Sequence, residues 1–481
     1  MTSQYVKLII ATLCGLMLIS PIPPLHLAYS QGQKSSQLYL PMIVSPHNAY
    51  APFGVETFAL ASDTVIANYA KQLGPQWIRL NTIAWRDIQP ERDGPYNTNA
   101  LMRLDNELRV AHNANFTPIV TIRRSPTWAT INHPKPIACG AIREDRFEDF
   151  AKLMGWLAAR YKDRVQYWEL GNEPDIDPTL VETDAFGCWG DINDPYYGGE
   201  HYGKMLKVVA PAIRKANPNA KIIIGGLALD SPNTTDPAAG KPERFFEGIL
   251  RAGAADSFDI VAFHSYPWFS NRPLDYDYDA DFSKHQSGVW KDYGGYTLGK
   301  AKFLREVMAK YNVSKPLFLN ETALTCVQPP RGPCPGPSPT FDRAQVNFLI
   351  RMMARGGAAG IDMISWYMLE GPGWRYSGLL DAEQKPRPIY NAYKVFVEMT
   401  SGSLRPVRVY DYDRPDTIVE TYRFTKDDMH VDVLWGADLS TYYVKVPPKF
   451  IKAYDQFGKE IKPIGPYIPV AFESIYILRG R

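Results

Sequence analysis

The chain has 481 residues, 45% hydrophobic and 22% charged, and its 53 basic and 51 acidic side chains leave a formal net charge of +2. This is ordinary globular composition, long enough for one large domain and a small one. A near-balanced charge sets up no single-sign field, which argues against nucleic acid and anionic membrane as partners. Aromatic residues reach 13%, with 29 Tyr and 11 Trp. Rings in that number fill a large core or line a cleft that stacks on ligand faces, and composition alone does not choose.

The first 30 residues carry an address. "MTSQYVK" ends in Lys7, and an apolar run from Leu8 to Ser20 is stopped by Pro21, Pro23 and Pro24. "AYS" at Ala28 to Ser30 then offers a small-x-small cleavage site. The pattern predicts a secretory signal peptide over 1–30, because the run is short for a membrane-spanning helix. An uncleaved N-terminal anchor is the rival reading. Cys14 follows Leu13 rather than a small residue, so it does not read as a lipid-attachment site. No later stretch reaches spanning length, so the mature chain is expected to be secreted or cell-surface with no integral membrane span. Beyond the signal lie Cys139, Cys188, Cys326 and Cys334. An even count in an exported chain suggests two disulfides, and four cysteines allow three pairings. "CVQPPRGPC" makes Cys326–Cys334 a short-loop pair, which leaves Cys139–Cys188. Zinc lacks support, since neither CxxC nor a nearby His spacing accompanies them.

Residues 31–50 read as a linker, with "LYLPMIVS" as a strand-like exception. From 51 to 401 the texture alternates. Short β-prone runs occur at "FGVETFAL" (Phe53), "WIRL" (Trp77), "TPIVTI" (Thr117) and "VQYWEL" (Val165). They continue at "AKIIIGG" (Ala220), "DIVAFHSY" (Asp259), "KPLFLN" (Lys315) and "IDMISWYML" (Ile361). Between them lie segments of helical spacing, among them Asp145–Tyr161, His201–Asn217 and Asp342–Gly357. Eight apolar strands alternating with helices indicate a parallel sheet, and this span suits a (β/α)8 TIM barrel better than an open doubly wound sheet. No Gly-rich phosphate fingerprint follows any strand. From 402 to 481 helical spacing gives way to alternation, which predicts a small antiparallel, β-sandwich-like accessory domain without catalytic duty.

In such a barrel the working groups stand at the C-terminal ends of strands. Glu173, in "GNEP", ends the fourth strand, and Glu321, in "PLFLNET", ends the seventh. Arg79 lies on the second strand, His264 and Tyr266 end the sixth, and Trp366 lies on the eighth. A lone Glu at a strand end reads equally as a surface charge or a helix cap, so the pairing carries the argument. Glycosidic cleavage needs two facing carboxylates, one protonated to assist the leaving oxygen and one to attack or to activate water. They need different environments to hold different pKa values. Arg79 near Glu321 would keep that carboxylate ionised, as a nucleophile requires. Asn172 is placed for a substrate hydroxyl and Trp366 for the floor of a sugar site. Weaker signals are Trp85, Asp87 and Glu91 in "WRDIQPERDG", and Trp128, which would stack a sugar or pack in the core. "DYDYDADF" (Asp275 to Phe282) reads as a solvated acidic loop rather than a calcium site, its spacing being unlike an EF-hand loop.

"GNEP" after strand four and "NET" after strand seven resemble the paired signatures of clan A glycoside hydrolases, the four-seven superfamily. "HSYP", the Trp of "ISWYML" and "GLLDAEQKPRPIYNAYK" match that clan as well. The resemblance covers Phe53 to Thr400, closest in style to family 39 or family 5, and an appended β domain also occurs in family 39. It implies an exported retaining β-glycosidase acting on oligo- or polysaccharides, with Glu173 as acid/base and Glu321 as nucleophile. Asn172 would hold the 2-hydroxyl, Tyr266 and Arg79 would position Glu321, and His264, Trp366 and Trp128 would shape the substrate site. The clan's usual "TE" or "SE" before the nucleophile is "NE" here. No metal or cofactor is expected, because two carboxylates carry both the proton and the covalent step. Two rival functions remain: a transglycosylase sharing every residue, and a carbohydrate-binding surface protein on a barrel that has lost catalysis.

Overall fold

The computed structural model describes residues 50, 52–131, 139–230, 234–272, 275–276, 290, 293–326, 334, 336–415 and 417–481. The signal peptide expected at 1–30, nearly all of the 31–50 linker and most of "DYDYDADF" lie outside the described residues. Eight parallel strands close into a barrel in sequence order. They are β1 (Phe53–Glu56), β2 (Trp77–Ala84), β3 (Thr117–Arg123), β4 (Tyr167–Leu170), β5 (Lys221–Leu227), β6 (Ile260–Ser265), β7 (Leu317–Thr322) and β8 (Met363–Trp366). The principal helices between them are α1 (Thr64–Leu73), α2 (Met102–Asn113), α3 (Phe147–Arg160) and α4 (Gly199–Ala216). The ring continues with α5 (Glu243–Arg251), α6 (Thr297–Lys310), α7 (Pro339–Ala358) and α8 (Pro388–Thr400). Every one of the eight expected strand runs forms a strand, and each is buried because helices cover one face while the opposite strands cover the other.

Alternation along the strands divides the barrel interior into layers. Near the strand N-termini, Ile119, Tyr167, Ile223, Ile260, Ala262, Phe318 and Met363 form an apolar cluster with Trp77 packed on it. Two residues further along β1, β2, β3 and β4 the same inward face carries Glu56, Arg79, Thr121 and Glu169, all buried. The pairing is regular at the start of the strands and slips towards their C-terminal ends. Register shifts fall between Leu80 and Ile83 on β2, between Ile224 and Leu227 on β5, and between Phe263 and His264 against Leu319 and Glu321. A bulge changes which face a side chain takes, and bulges gather where side chains are re-aimed for function.

Eight further strands follow the barrel. A six-stranded sheet has the order β14 (Glu460–Ile461), β13 (Phe450–Asp455), β16 (Ile475–Gly480), β11 (Met429–Gly436), β10 (Val419–Lys426) and β9 (Val407–Arg408). β12 (Tyr442–Lys445) and β15 (Tyr467–Val470) pair separately. The sheet lies against α7 and α8: Phe396 meets Phe424 edge-on at 5.7 Å, and Arg355 Nε donates to Glu420 at 2.9 Å. Covered by the barrel and the sheet together, α7 is buried over most of its length, and Arg351 and Arg355 are spared isolation by Asp275 and Glu420. Both expected disulfides form, Cys139–Cys188 and Cys326–Cys334. Among the described residues no helix is long and apolar enough to cross a membrane.

Candidate active site

A cavity of about 490 Å³ opens at the C-terminal end of the barrel, where Glu173, Glu321, Asn172, His264 and Tyr266 line it together. Glu173 stands three residues past β4, and its backbone is left-handed at φ 49°, following Gly171 at φ 97°. Such a conformation costs a non-glycine residue about 1–3 kcal/mol and persists only where the surroundings impose it. Buried Asp175 is one such constraint. It accepts from the Ala228 and Leu229 amides at 2.9 and 2.7 Å, tying this loop to the one after β5. Burial pushes its carboxyl up to about 7.

Glu321 is reached from three sides. Arg79 Nη1 donates to its Oε1, Tyr266 donates its hydroxyl to Oε2, and His264 Nδ1 lies 3.4 Å from Oε2. The same Nδ1 is 3.0 Å from Glu173 Oε1, so one imidazole bridges the two carboxylates. One oxygen of each carboxylate and this nitrogen all lie within 4.8 Å of one another. A cation held by the trio would have to share Glu321 with the fixed charge of Arg79.

Arg79 is fully buried and does not reach the cavity. Its Nε donates to Glu169 at 2.7 Å, Nη1 to Glu56 at 2.5 Å and Nη2 to Asn172 Oδ1 at 2.8 Å. Glu169 is completed by Thr121 Oγ1 at 2.6 Å, Asn320 Nδ2 at 2.7 Å and the Gly226 amide at 3.0 Å. This network fixes the guanidinium beneath Glu321 and Asn172. It also separates the two facing carboxyls electrostatically. Burial raises Glu173 above the ordinary carboxylate range, and its hydrogen bond from His264 only partly opposes this. Burial also works against ionised Glu321, but His264, Arg79 and the Tyr266 hydroxyl outweigh it and hold that carboxyl low. For His264, burial disfavours the charge and the two carboxylates more than restore it, so its pKa is raised.

Two expected contacts do not form. Trp366 is fully buried and away from the cavity, with Nε1 donating to Ser377 O at 2.8 Å and its ring tilted against Phe348. Parity explains it: Met363 lies in the inner cluster, so Ser365 shares that face and Trp366 points outward. Tyr367 and Trp374 line the cavity instead. Trp128 packs edge-on against Trp85 at 5.3 Å and donates to Gln89 O at 3.3 Å, outside the cavity. Sequence reasoning passed over Glu56 and Glu169, although a carboxylate inside an apolar strand, as in "FGVE" and "YWEL", is itself a signal of a buried partner. It also passed over Asn81, Arg123, Asp230 and Lys300, which line the cavity.

A model of the family described as cellulase (glycosyl hydrolase family 5) matches residues 45–314. The match runs through β1 to α6, so it contains Glu173 and ends before β7 and Glu321. No curated protein matches the chain. Among solved structures the chain is similar to a family 39 glycoside hydrolase from Bacteroides cellulosilyticus WH2, at TM-score 0.65 and 18% identity over 90% of this chain and 81% of that one. It is similar to a GH30 endoxylanase from Clostridium papyrosolvens C71, at TM-score 0.58 and 12% identity over 90% and 97%. A GH39 β-xylosidase from Caulobacter crescentus gives TM-score 0.56 and 13% identity over 91% and 98%. At these identities the likeness is one of fold.

Proposed function

The chain belongs to the cellulase family, glycosyl hydrolase family 5, of the clan A glycosidases, and from that premise we propose that it cleaves β-glycosidic bonds with retention, using Glu173 and Glu321. The observation that carries the proposal is the facing pair: carboxylate oxygens within 4.8 Å, one carboxyl raised and the other lowered. Inverting enzymes separate their carboxyls by about 6.5–9.5 Å to admit a water, whereas about 5–5.5 Å suits direct attack on the sugar.

Glu173, kept protonated by burial, gives its proton to the leaving glycosidic oxygen. Glu321, kept ionised, attacks the anomeric carbon, and the bond to the leaving group breaks as the glycosyl–enzyme bond forms. Glu173, now ionised, takes a proton from water, whose oxygen displaces Glu321 and restores both groups. Arg79 and Tyr266 hold Glu321 in place, while His264 spans both carboxylates. Asn172 faces the cavity with its amide oriented by Arg79, ready for a sugar hydroxyl. Rings of Phe58, Trp268, Tyr367 and Trp374 supply stacking surface. Two disulfides support export from the reducing cytoplasm.

Proton NMR of the first product released from an aryl β-glycoside tests the proposal. Retention requires the β anomer to appear first, and initial release of the α anomer overturns it. Glu321→Gln should lower kcat by about 10⁴-fold or more, the scale of losing a nucleophile. Substantial turnover in that variant removes Glu321 from the role.

A further inference from the structure

The cavity has two differently charged walls. On the side of β5 and β6, Lys300 Nζ lies 3.6 Å from Asp230, 3.2 Å from Tyr296 Oη and 3.3 Å from His264 O, so its charge is already answered. On the side of β2, β3 and β4 the lining consists of Asn81, Arg123, Asn172, Ala185 and Phe186, with Glu173 at its margin. Arg123 ends β3, two positions past inward-facing Thr121, so alternation points it into the barrel mouth. Among the described residues no carboxylate lies within ion-pair distance of its guanidinium. The neighbouring cations are matched: Arg124 and Arg86 share Asp184 at 3.4 and 2.7 Å. Arg124 is left-handed at φ 53°, which turns the chain out of β3 and sends the two arginines to different partners. Asn81 stands on the adjoining strand at the β2 bulge, 3% exposed, and its Oδ1 has no hydrogen-bond partner.

A half-buried guanidinium with no carboxylate in contact, felt by Glu56 and Glu321 only at longer range, is costly, and a planar fork of donors suits one kind of guest. Resting on the glycosidase reading above, we infer that Arg123 and Asn81 form a subsite for an anionic group on the sugar, a uronic carboxylate or a sulfate ester. Arg123 takes the anion by paired N–H···O bonds, and the orphaned Asn81 oxygen accepts from a neighbouring hydroxyl of the same ring. The cavity then selects sugars by charge on one wall and cleaves them on the other.

Calorimetric titration with D-glucuronate, D-glucose 6-sulfate and D-glucose measures this without turnover. The wild type should bind one or both anions about tenfold or more tighter than glucose, the scale of a charge-assisted pair. The preferred anion identifies carboxylate or sulfate as the source. Arg123→Gln should abolish the preference and Arg123→Lys should keep part of it. Asn81→Asp, which puts a negative charge on the same wall of the cavity, should abolish it with the arginine intact. Equal binding of all three sugars by the wild type, or a preference that survives both Arg123→Gln and Asn81→Asp, overturns the inference. Turnover of 4-nitrophenyl β-glycosides of both neutral and uronic sugars, followed in parallel, reports on the catalytic reading separately. Anion preference without turnover keeps this subsite and removes the glycosidase mechanism; turnover of a neutral glycoside without anion preference does the reverse.

Discussion

The two ends of the barrel are built to opposite rules. At the strand N-termini, apolar and aromatic side chains meet in regular register with no carboxylate or basic group among them. Towards the C-terminal ends the pairing slips at β2, β5 and β7, and Glu56, Glu169, Glu321 and Arg79 crowd into a buried network. The first end lowers free energy by hydrophobic burial, and the second spends part of that gain on holding charges out of water. Breaking each end should therefore have a different signature.

The largest effect is expected at the junction. Arg79→Met leaves Glu56, Glu169 and Glu321 without their shared cation. It should destabilise the protein by about 3–5 kcal/mol and abolish activity in whatever remains folded. Its counterpart at the other end, Ile223→Ala, should cost about 2–5 kcal/mol through a cavity while folded protein keeps its kcat. A loss of kcat in Ile223→Ala comparable to that in Arg79→Met would erase the division. Denaturant titration read beside single-temperature kinetics separates the two outcomes.

Gly226→Ala comes next. A Cβ there would collide with the His264 ring and crowd Asn320 Oδ1. The imidazole must move from between Glu173 and Glu321, and kcat should fall by about 10–100-fold. A variant with wild-type kcat would show that the bridge is dispensable.

The pH profile sharpens the upper end further. The working state has Glu321 ionised, its pKa held low, and Glu173 protonated, its pKa held high. The acid limb of kcat/KM should therefore lie below the ordinary carboxylate range and the alkaline limb above it. Tyr266→Phe removes a donor that favours ionised Glu321, so the acid limb should move up by about one pH unit. A shift confined to the alkaline limb would reassign the two carboxyls.

The last effect concerns stability alone. Burial raises Glu56 to about 8 against an ordinary 4.5, with Arg79 opposing. The folded chain thus keeps a proton that the unfolded chain releases, and this contribution is lost as pH rises from about 4.5 through 8. Glu56→Gln does not titrate, so its Tm relative to wild type should rise steadily between pH 5 and pH 8. A Tm difference independent of pH would mean that Glu56 is ionised in the folded protein.

The regular half of the molecule was the legible half. Runs such as "AKIIIGG" and "TPIVTI" announce buried strands because parallel strands are apolar on both faces, and all eight appear where the sequence places them. "GNEP" and "NET" locate two carboxylates at strand ends, and the fold brings them into one cavity. Parity near the bulges was not legible. Consecutive Asn320 and Glu321 both serve the interior, which simple alternation forbids, and Trp366 turns outward because Ser365 takes the inward place. Arg123 was hidden for another reason. An arginine at a strand end is unremarkable until the fold gives Asp184 to Arg124 and Arg86 and leaves Arg123 on the cavity wall.

The long helix α7 carries a consequence for how this enzyme can be inherited. Its outer face is dry because the C-terminal sheet covers it: Arg351 donates to Phe472 O at 2.6 Å and stacks 4.0 Å from that ring. Arg355 meanwhile leans on Glu420. A chain ending at Thr400 would keep every catalytic strand, but Arg351 would lose Phe472 and Arg355 would lose Glu420, leaving Asp275 to serve both, and an apolar helix face would meet water. Recombination that moves the barrel to a new gene must therefore carry the sheet with it, and melting should register both as one cooperative unit.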